Sequence, residues 1–489
     1  MKDFLINSFI IIGLISANPL SIQAQTKSDK VKKPNIIFIM ADDMGWTGLS
    51  GFGSDLHETP IIDKLSKEGM KFTSAYSAAA ICTPTRASIL TGKCPARLNM
   101  TTWHENAGPP PPNTEYKLLP PTTLPNLPLD EVTVAEMVKK AGYFTAHIGK
   151  WHLGDANHYP ETQGFDINIG GTMWGMPQTY WYPFRGWRES DQEIRYVPGL
   201  DNIDGNNANV YLTDRLTDKA IEVIEAKKDS PFFLNLSYYN CHVPIEGKPD
   251  LINYFQNKLT SENIKLYHTN PGYAAMIASL DENIGRVFKA IRKAGIDDNT
   301  IIFFYSDNGG QVNSRVNIQN NYPLRSGKGS LYEGGIRVPL IIKWPGITKP
   351  GEVCDYPVSS IDILPTIHEM IGLTDEGNQV EEIDGVSMVP LLKNPSSTLD
   401  RAALYWHFPH YYPNTTPVSA IRKGKWKLLQ FFEDNHLELY DLDSDLREDH
   451  NLADRYPDIA ENLYHDLKVW RKASDAKLPS LNPQYVPAP

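Results

Sequence analysis

The stretch NIIFIMADD at residues 35–43 and the stretch TIIFFYSDN at residues 300–308 share one grammar. Each is a continuous run of β-branched and aromatic residues that ends abruptly in acidic or amide side chains. An apolar run without alternation predicts a strand buried on both faces, as in a parallel sheet covered by helices. Ligand groups in such sheets collect just past the carboxyl ends of the strands, which is where Asp42, Asp43, Asp307 and Asn308 fall. Tyr143–Ile148, followed by Gly149, and Pro231–Tyr239 read the same way. Helical signals lie between these strands. Thr59 and Pro60 open one helix and Gly69 closes it; Thr133 and Glu136 form a capping-box pattern; Ile277, Leu280, Ile284, Val287 and Ile291 mark one face of a long helix ending at Gly295. Alternation of strand and helix predicts an α/β domain over residues 34–395, with a large mixed, mostly parallel sheet flanked by helices.

The tail is built differently. Ala403–Phe408, Ser419–Phe432 and Leu437–Leu442 read as short strands, and 454–473 as a helix. A smaller α+β unit with an antiparallel sheet is expected over 396–489. Residues 109–128 hold eight prolines and must form an irregular, partly extended loop. At the other end, Lys2 precedes an apolar run from Phe4 to Ala17. That run is too short for a membrane span and reads as a secretory signal peptide over 1–24, so a periplasmic or secreted protein is expected. No other stretch approaches the length of a transmembrane helix. The chain has 47 Lys and Arg against 58 Asp and Glu, a net charge of −11, which disfavours a nucleic-acid-binding role. Its four cysteines, Cys82, Cys94, Cys241 and Cys354, contain no C-x-x-C pair and are too few for a disulfide scaffold.

Asp42, Asp43, Asp307 and Asn308 are hard oxygen donors, suited to Ca²⁺ or Mg²⁺. Either pair alone is an ordinary polar turn; two pairs beyond matching buried strands point to a metal. The segment ICTPTRASILTGK at 81–93 predicts a helix starting near Cys82, with Pro84 in its first turn and Gly92 at its end. A helix N-terminus favours negative charge. Arg86, one turn on, reaches the same face. An isolated Cys of this kind is ordinarily a small buried hydrophobe.

With these motifs in hand, the chain resembles the type I, formylglycine-dependent sulfatases of the alkaline phosphatase superfamily, of the arylsulfatase A and N-acetylgalactosamine-sulfatase kind. CTPTR followed by ASILTGK is similar to the family signature, in which a C-x-P-x-R cysteine is oxidised to formylglycine. PNIIFIMADDMG and TIIFFYSDNGG resemble its two metal strands, GYFTAHIGKWHLG its Lys-x-His segment, NCHVPI the strand end with a single His, and RSGKGSLYEGGIRVP the segment with the last Lys. Thr85 stands where Ser or Ala is commoner; the modifying enzyme is expected to tolerate it. The resemblance implies that Asp42, Asp43, Asp307, Asn308 and the modified Cys82 bind one Ca²⁺, with Mg²⁺ the lesser alternative. It makes Arg86, Lys150, His152, His242 and Lys328 the polar pocket.

The chemistry follows from those residue types. Charge grows on the leaving oxygen of a sulfate monoester as its S–O bond breaks, and Ca²⁺ with Arg86, Lys150 and Lys328 can stabilise the surrounding oxygens. A formylglycine hydrate carries two hydroxyls on one carbon: one attacks sulfur, the other later loses its proton and expels sulfate. His242 is expected to assist the leaving oxygen and His152 to deprotonate the hydrate; His147, inside a strand, reads as structural. Trp103, His104, Trp174, Arg325, His407 and His410 are candidates for substrate contact. Trp174, Tyr180, Trp181, Tyr182, Phe184 and Trp187 crowd one loop-like region, where packing is the commoner use and sugar stacking the alternative. The expected function is hydrolysis of an O-sulfate on a sugar of a sulfated glycan, galactose or N-acetylgalactosamine types being favoured. The expected partners are that sulfated saccharide and a formylglycine-generating or anaerobic sulfatase-maturating enzyme. A phosphomonoester, phosphodiester or phosphonate hydrolase on the same scaffold is one alternative, although the additional metal ligands such enzymes carry are not found. A non-catalytic sulfoglycan-binding protein, should Cys82 stay unmodified, is the other.

Overall fold

The computed structural model describes residues 32–110, 114–189, 192–200, 209–261, 266–313, 318–319, 321–373 and 382–487. The expected signal peptide, 1–24, lies outside them. The Asn35–Ala41 strand sits near the middle of an eight-stranded sheet, flanked in parallel by Thr300–Ser306 on one side and Phe232–Ser237 on the other. Phe144–Gly149 and Ile167–Ile169 extend the sheet in parallel beyond Phe232–Ser237. Leu340–Lys343 pairs antiparallel with both Thr300–Ser306 and Met70–Phe72, and Glu352–Cys354 closes the edge. The sheet is therefore mixed and mostly parallel.

Both faces are covered, which is why the strands lack polar alternation. Ile37, Ile39, Ile302 and Phe304 pack with Leu216, Ile277, Leu280 and Ile284, from the helices Leu212–Lys227 and Pro271–Lys293. Ile36, Phe38, Phe303 and Tyr305 point the other way, into a second core with Ala87, Val138 and Ile367 from the helices Cys82–Thr91, Val134–Lys140 and Ile363–Met370. Thr133 and Glu136 form the expected capping box on Val134–Lys140, and Pro60–Glu68 runs from the N-cap Thr59 to Gly69.

The tail forms a four-stranded antiparallel sheet, Leu404–Phe408, Val418–Lys423, Trp426–Phe431 and Leu437–Asp441. The stretch read as one strand, Ser419–Phe432, is a tight hairpin with Gly424 at positive φ in its turn. One face of this sheet, with Ile421, Leu428 and Leu439, is covered by the helix Pro457–Ala473. The other face, through Trp406, Ala420 and Leu429, packs on Tyr76, Ala80 and Ile81, directly before the Cys82 helix; Trp406 Nε1 donates to the Ser77 carbonyl at 2.8 Å. Both sheets belong to one compact unit, residues 33–489. In the proline-rich loop, Leu118–Leu119 forms a short antiparallel pair with Ser480–Leu481. All four cysteines are free and buried. Among the described residues, no helix is long and apolar enough to cross a membrane.

Candidate active site

Strand register brings the polar residues together. Ala41 pairs with Ser306, so the next residues, Asp42 and Asp307, leave the sheet side by side. The Asp307 N–H donates to the Ala41 carbonyl at 3.3 Å, and the Asp43 N–H donates to Asp307 Oδ1 at 3.1 Å. On the opposite side Met40 pairs with Ser237 and Gly149 with Ser237, which puts Lys150 at the same edge. A Cβ at Gly149, whose φ is +104°, would lie 1.9 Å from the Ser237 carbonyl oxygen. Only glycine lets the chain turn there and deliver Lys150 into the site. Lys150 Nζ lies 2.7 Å from Asp42 Oδ2, both fully buried.

The Cys82–Thr91 helix aims its N-terminus at these strand ends. All ten of its residues are buried, and Ile81 at the N-cap offers no side-chain cap. The Cys82 sulfur lies 3.6 Å from Asp42 Oδ1 and 4.0 Å from Asp43 Oδ1. Thr85 closes the turn before the helix: its hydroxyl accepts from the Ala79 N–H and donates to the Ala79 carbonyl. Arg86 is engaged on every side. Its Nε donates to Asp307 Oδ2 at 2.8 Å, and its Nη1 to the Lys150 carbonyl at 2.9 Å and to Ser237 Oγ at 2.6 Å. It ties three strand ends to the helix. Lys328 Nζ completes the set, 2.8 Å from Asp43 Oδ2 and 3.1 Å from His242 Nε2. His242 Nδ1–H donates to the Val243 carbonyl at 2.9 Å, so the neutral ring presents Nε2 as an acceptor toward Lys328.

Three cations, Arg86, Lys150 and Lys328, thus face three carboxylates. Burial pushes the Asp42 carboxyl up to about 8 against the pull of Lys150. Burial also disfavours the charged form of Asp307, yet Arg86, Lys150 and Lys328 hold it well below the usual carboxylate range. The Cys82 thiol is pushed up to about 12, first by burial. His242 is lowered to about 3 by burial, with Lys328 adding to it. Lys328 stays charged because Asp43 and its neighbours outweigh its own desolvation. Beside Arg86 Nη2, which is ion-paired with Asp307 Oδ2 at 2.8 Å, one buried polar atom among these residues has no hydrogen-bond partner, the Asn308 Oδ1. Its amide nitrogen donates to Asp43 Oδ1 at 2.7 Å, leaving the oxygen oriented as a spare donor for a cation. Asp42, Asp43, Cys82 and His242 each bring a ligand atom within 4.8 Å of the others. A buried group of carboxylates with an unpaired amide oxygen fits a hard divalent cation.

The family model described as Sulfatase matches residues 34–373, and one described as N-sulphoglucosamine sulphohydrolase, C-terminal, matches 327–473. The chain belongs to the sulfatase family. This sulfatase is 34% identical to a sulfatase of Formosa agariphila, over 96% of this chain and 94% of that one. It is 30% identical to the mouse (Mus musculus) N-acetylgalactosamine-6-sulfatase, over 81% and 71% of the two chains. Among solved structures, Ps i-CgsB in complex with k-i-k-neocarrahexaose is 29% identical with a TM-score of 0.71, covering 93% of this chain and 95% of that one. The sulfatase is a sulfuric ester hydrolase, and its buried acidic cluster is able to hold the divalent metal that the family binds.

A cavity of about 260 Å³ opens over Cys82, His152, His242 and Lys328. Trp103 lines it. The other five candidate substrate contacts are absent from its wall. Trp174 stands behind it, with the Arg195 guanidinium 4.3 Å over its ring. His104 Nδ1 bonds the Pro125 carbonyl. Arg325 lies over Tyr332 and donates to the Tyr440 hydroxyl and the Glu448 carbonyl. His407 is buried between Ser419 and the Lys477 carbonyl, and His410 against Thr101. These four are used in holding loops and the second sheet in place. His147 bonds Asn235 and the Gly149 carbonyl inside the fold. Of the aromatic cluster, Tyr180 and Phe184 are core residues, and the Tyr180 hydroxyl reaches the carbonyls of Tyr239 and His242.

Sequence reasoning missed Glu105. Its Oε2 accepts from His152 Nε2 at 2.7 Å, while Oε1 lies 3.3 Å from the Gly175 nitrogen and 3.4 Å from Arg195 Nη1. Burial lowers His152 to about 4 despite Glu105, so the ring is neutral with its proton on Nε2. Its Nδ1 is buried and unpartnered, a free lone pair. Arg188, Arg195 and Tyr412 were missed as well. Tyr412 comes from the loop between the strands Leu404–Phe408 and Val418–Lys423 of the second sheet and packs over Gly329, where a Cβ would meet its ring at 2.0 Å. The residue next to His104 is a faint local signal for Glu105; for the rest no signal precedes the fold.

Proposed function

We propose that the sulfatase removes an O-sulfate from a sugar of a sulfated glycan, with Cys82 converted to formylglycine and Ca²⁺ held by Asp42, Asp43, Asp307 and Asn308. The observation that carries this reading is the meeting of the Cys82 helix N-terminus with those four side chains, one of which keeps an unpaired buried oxygen. The hard oxygen donors support Ca²⁺ ahead of softer metals. When bound, such a cation supplies Lewis-acid stabilisation of the negative charge on the reacting oxygens.

The chain's own residues divide the remaining work. Once oxidised and hydrated, residue 82 offers two hydroxyls. One attacks sulfur while the bond from sulfur to the sugar oxygen breaks; loss of the other's proton expels sulfate and restores the aldehyde. Lys150 and Lys328 neutralise the sulfate oxygens, and Arg86 keeps Asp307 and Lys150 in register. His152, oriented by Glu105 with Nδ1 unprotonated, is the base for the second hydroxyl. At the leaving oxygen, the proton of the Lys328–His242 pair rests on Lys328; His242 passes a proton on only after receiving one. Likeness to an N-acetylgalactosamine-6-sulfatase supports galactose or N-acetylgalactosamine sugars. The reading also requires a maturating enzyme to oxidise Cys82. The apolar run Phe4–Ala17 supports export to the periplasm or beyond.

Peptide mass spectrometry of protein that releases sulfate from a sulfated saccharide tests the reading. The peptide holding residue 82 should show the mass loss of thiol-to-aldehyde conversion, and Cys82→Ala should lose turnover while staying folded. A fully active sample carrying only the free thiol would falsify the mechanism.

A further inference from the structure

A second cavity, of about 620 Å³, lies beside the one over Cys82. Tyr116 and Leu118 of the proline-rich loop line it, with His410, Tyr411 and Tyr412 from the loop after the strand Leu404–Phe408, and Trp103. Trp103 and Tyr412 also line the catalytic cavity. Their rings meet edge to face at 5.8 Å, so the two cavities adjoin across this pair. A molecule whose sulfate sits over Cys82 has the second cavity next to it.

The wall is already fastened. Leu118–Leu119 pairs with Ser480–Leu481, and the Leu118 N–H donates to the Tyr411 hydroxyl at 3.1 Å. That hydroxyl donates to Glu433 Oε1 at 2.6 Å, and Lys117 Nζ donates to the Glu433 carbonyl. The Tyr116 ring stacks on Tyr411 at 4.0 Å, within 8° of parallel. A wall held in this way has little freedom left to lose when a ligand binds.

Size and chemistry indicate the occupant. Ligand pockets ordinarily run to about 300–1,000 Å³. The catalytic cavity, at about 260 Å³, is smaller than that, and its neighbour falls inside the range. Among the described residues, none that lines the second cavity carries a charge; His410, bonded to Thr101, stays neutral because burial lowers it to about 3. A further sulfate or carboxylate would lose hydration there with no cation in the wall to offset it. Aromatic rings instead suit the C–H face of a neutral sugar, and Asn106 adds an amide that can meet its hydroxyls.

Resting on the sulfatase reading above, we propose that the second cavity is a subsite for an uncharged sugar linked to the sulfated one. The substrate is then a saccharide of two or more units in which a sulfated and an unsulfated sugar adjoin.

Calorimetric binding to the Cys82→Ala protein in calcium-containing buffer tests this without turnover. The probes are N-acetylgalactosamine 6-sulfate, its octyl glycoside, and two disaccharides in which it carries a neutral galactose, one at its anomeric carbon and one at a ring hydroxyl. At least one disaccharide should bind about 10-fold or more tightly than the monosaccharide. Tyr116 is 40% exposed, so its replacement spares the core. Adding Tyr116→Ala should bring the advantage to about threefold or less with monosaccharide binding unchanged, and Tyr116→Phe, which keeps the ring, should retain most of it. Equal or undetectable binding of all probes, an advantage that survives Tyr116→Ala, or a loss spread equally over every probe would overturn the proposal. So would an octyl glycoside that matches the better disaccharide, since the cavity would then take an apolar aglycone. The reaction reading fails by a different result, the absence of sulfate release from every probe by the unsubstituted, matured protein.

Discussion

Replacing Glu105 probes the site where sequence and structure differ most. Its carboxylate, a quarter exposed, accepts from the buried His152 Nε2 at 2.7 Å. A hydrogen bond to a charged partner contributes about 1.5–3 kcal/mol, against about 0.5–1.5 for a neutral one. Glu105→Gln keeps an acceptor and loses the charge, so it should cost about 1–1.5 kcal/mol, or about 5- to 15-fold in kcat at 1.36 kcal/mol per factor of ten. Glu105→Ala loses the whole contact and frees the imidazole to change tautomer, which should cost about 10- to 150-fold. The loss belongs in kcat because the proposed reading gives the sulfate oxygens to Lys150 and Lys328 and leaves His152 to the proton. The sign of the pH effect is determined too. Glu105 raises the basicity of His152 against burial, so its removal should move the acid limb of the rate profile to lower pH while the plateau falls. The assay is steady-state release of sulfate from a saccharide by matured enzyme, with bound metal quantified alongside. Wild-type kcat in Glu105→Ala, or a change confined to KM, would refute the base role of His152.

Asp307→Ala removes a proposed metal ligand and strands the buried Arg86 guanidinium; loss of bound metal, loss of activity and about 3 kcal/mol or more of stability are expected together in elemental analysis, turnover and thermal unfolding. His242→Ala should slow a sugar sulfate about 10²- to 10⁴-fold more than a nitrophenyl sulfate, because a phenolate leaves with little protonation. Lys328→Ala should slow both, and equal effects of His242→Ala on both substrates would assign His242 to sulfate positioning instead. Lys427 is buried between Glu333 and Glu448 at 2.9 and 2.8 Å, under the second sheet. Lys427→Met should cost about 3–5 kcal/mol in denaturant unfolding by taking from Glu448 its buried ion-pair partner and leaving Glu333 to Arg337; a midpoint unchanged at equal slope would show the network to be dispensable.

What the sequence alone determined is what local pattern can carry. Unbroken apolar runs at 35–41 and 300–306 declared strands buried on both faces, since they are short, rich in β-branched and aromatic residues and end in turn-forming polar residues. The acidic and amide residues that follow them, the C-x-P-x-R segment and Pro84 near its helix start were legible for the same reason: each is a short-range signal. The alternation of strand and helix in the large domain and the antiparallel tail followed from periodicity. Tertiary structure decided what distant residues do to one another. Only strand register sets Asp42 beside Asp307 and turns Arg86 inward to hold them. Only folding brings Glu105 to His152, 47 residues away, and Arg195 to Trp174. His407 and Arg325 looked like pocket residues because polar side chains near motifs invite that reading, and the fold instead uses them to fasten loops and the second sheet. A side chain's partners are set by the packing of whole elements, and that information is spread over the chain rather than written beside the residue.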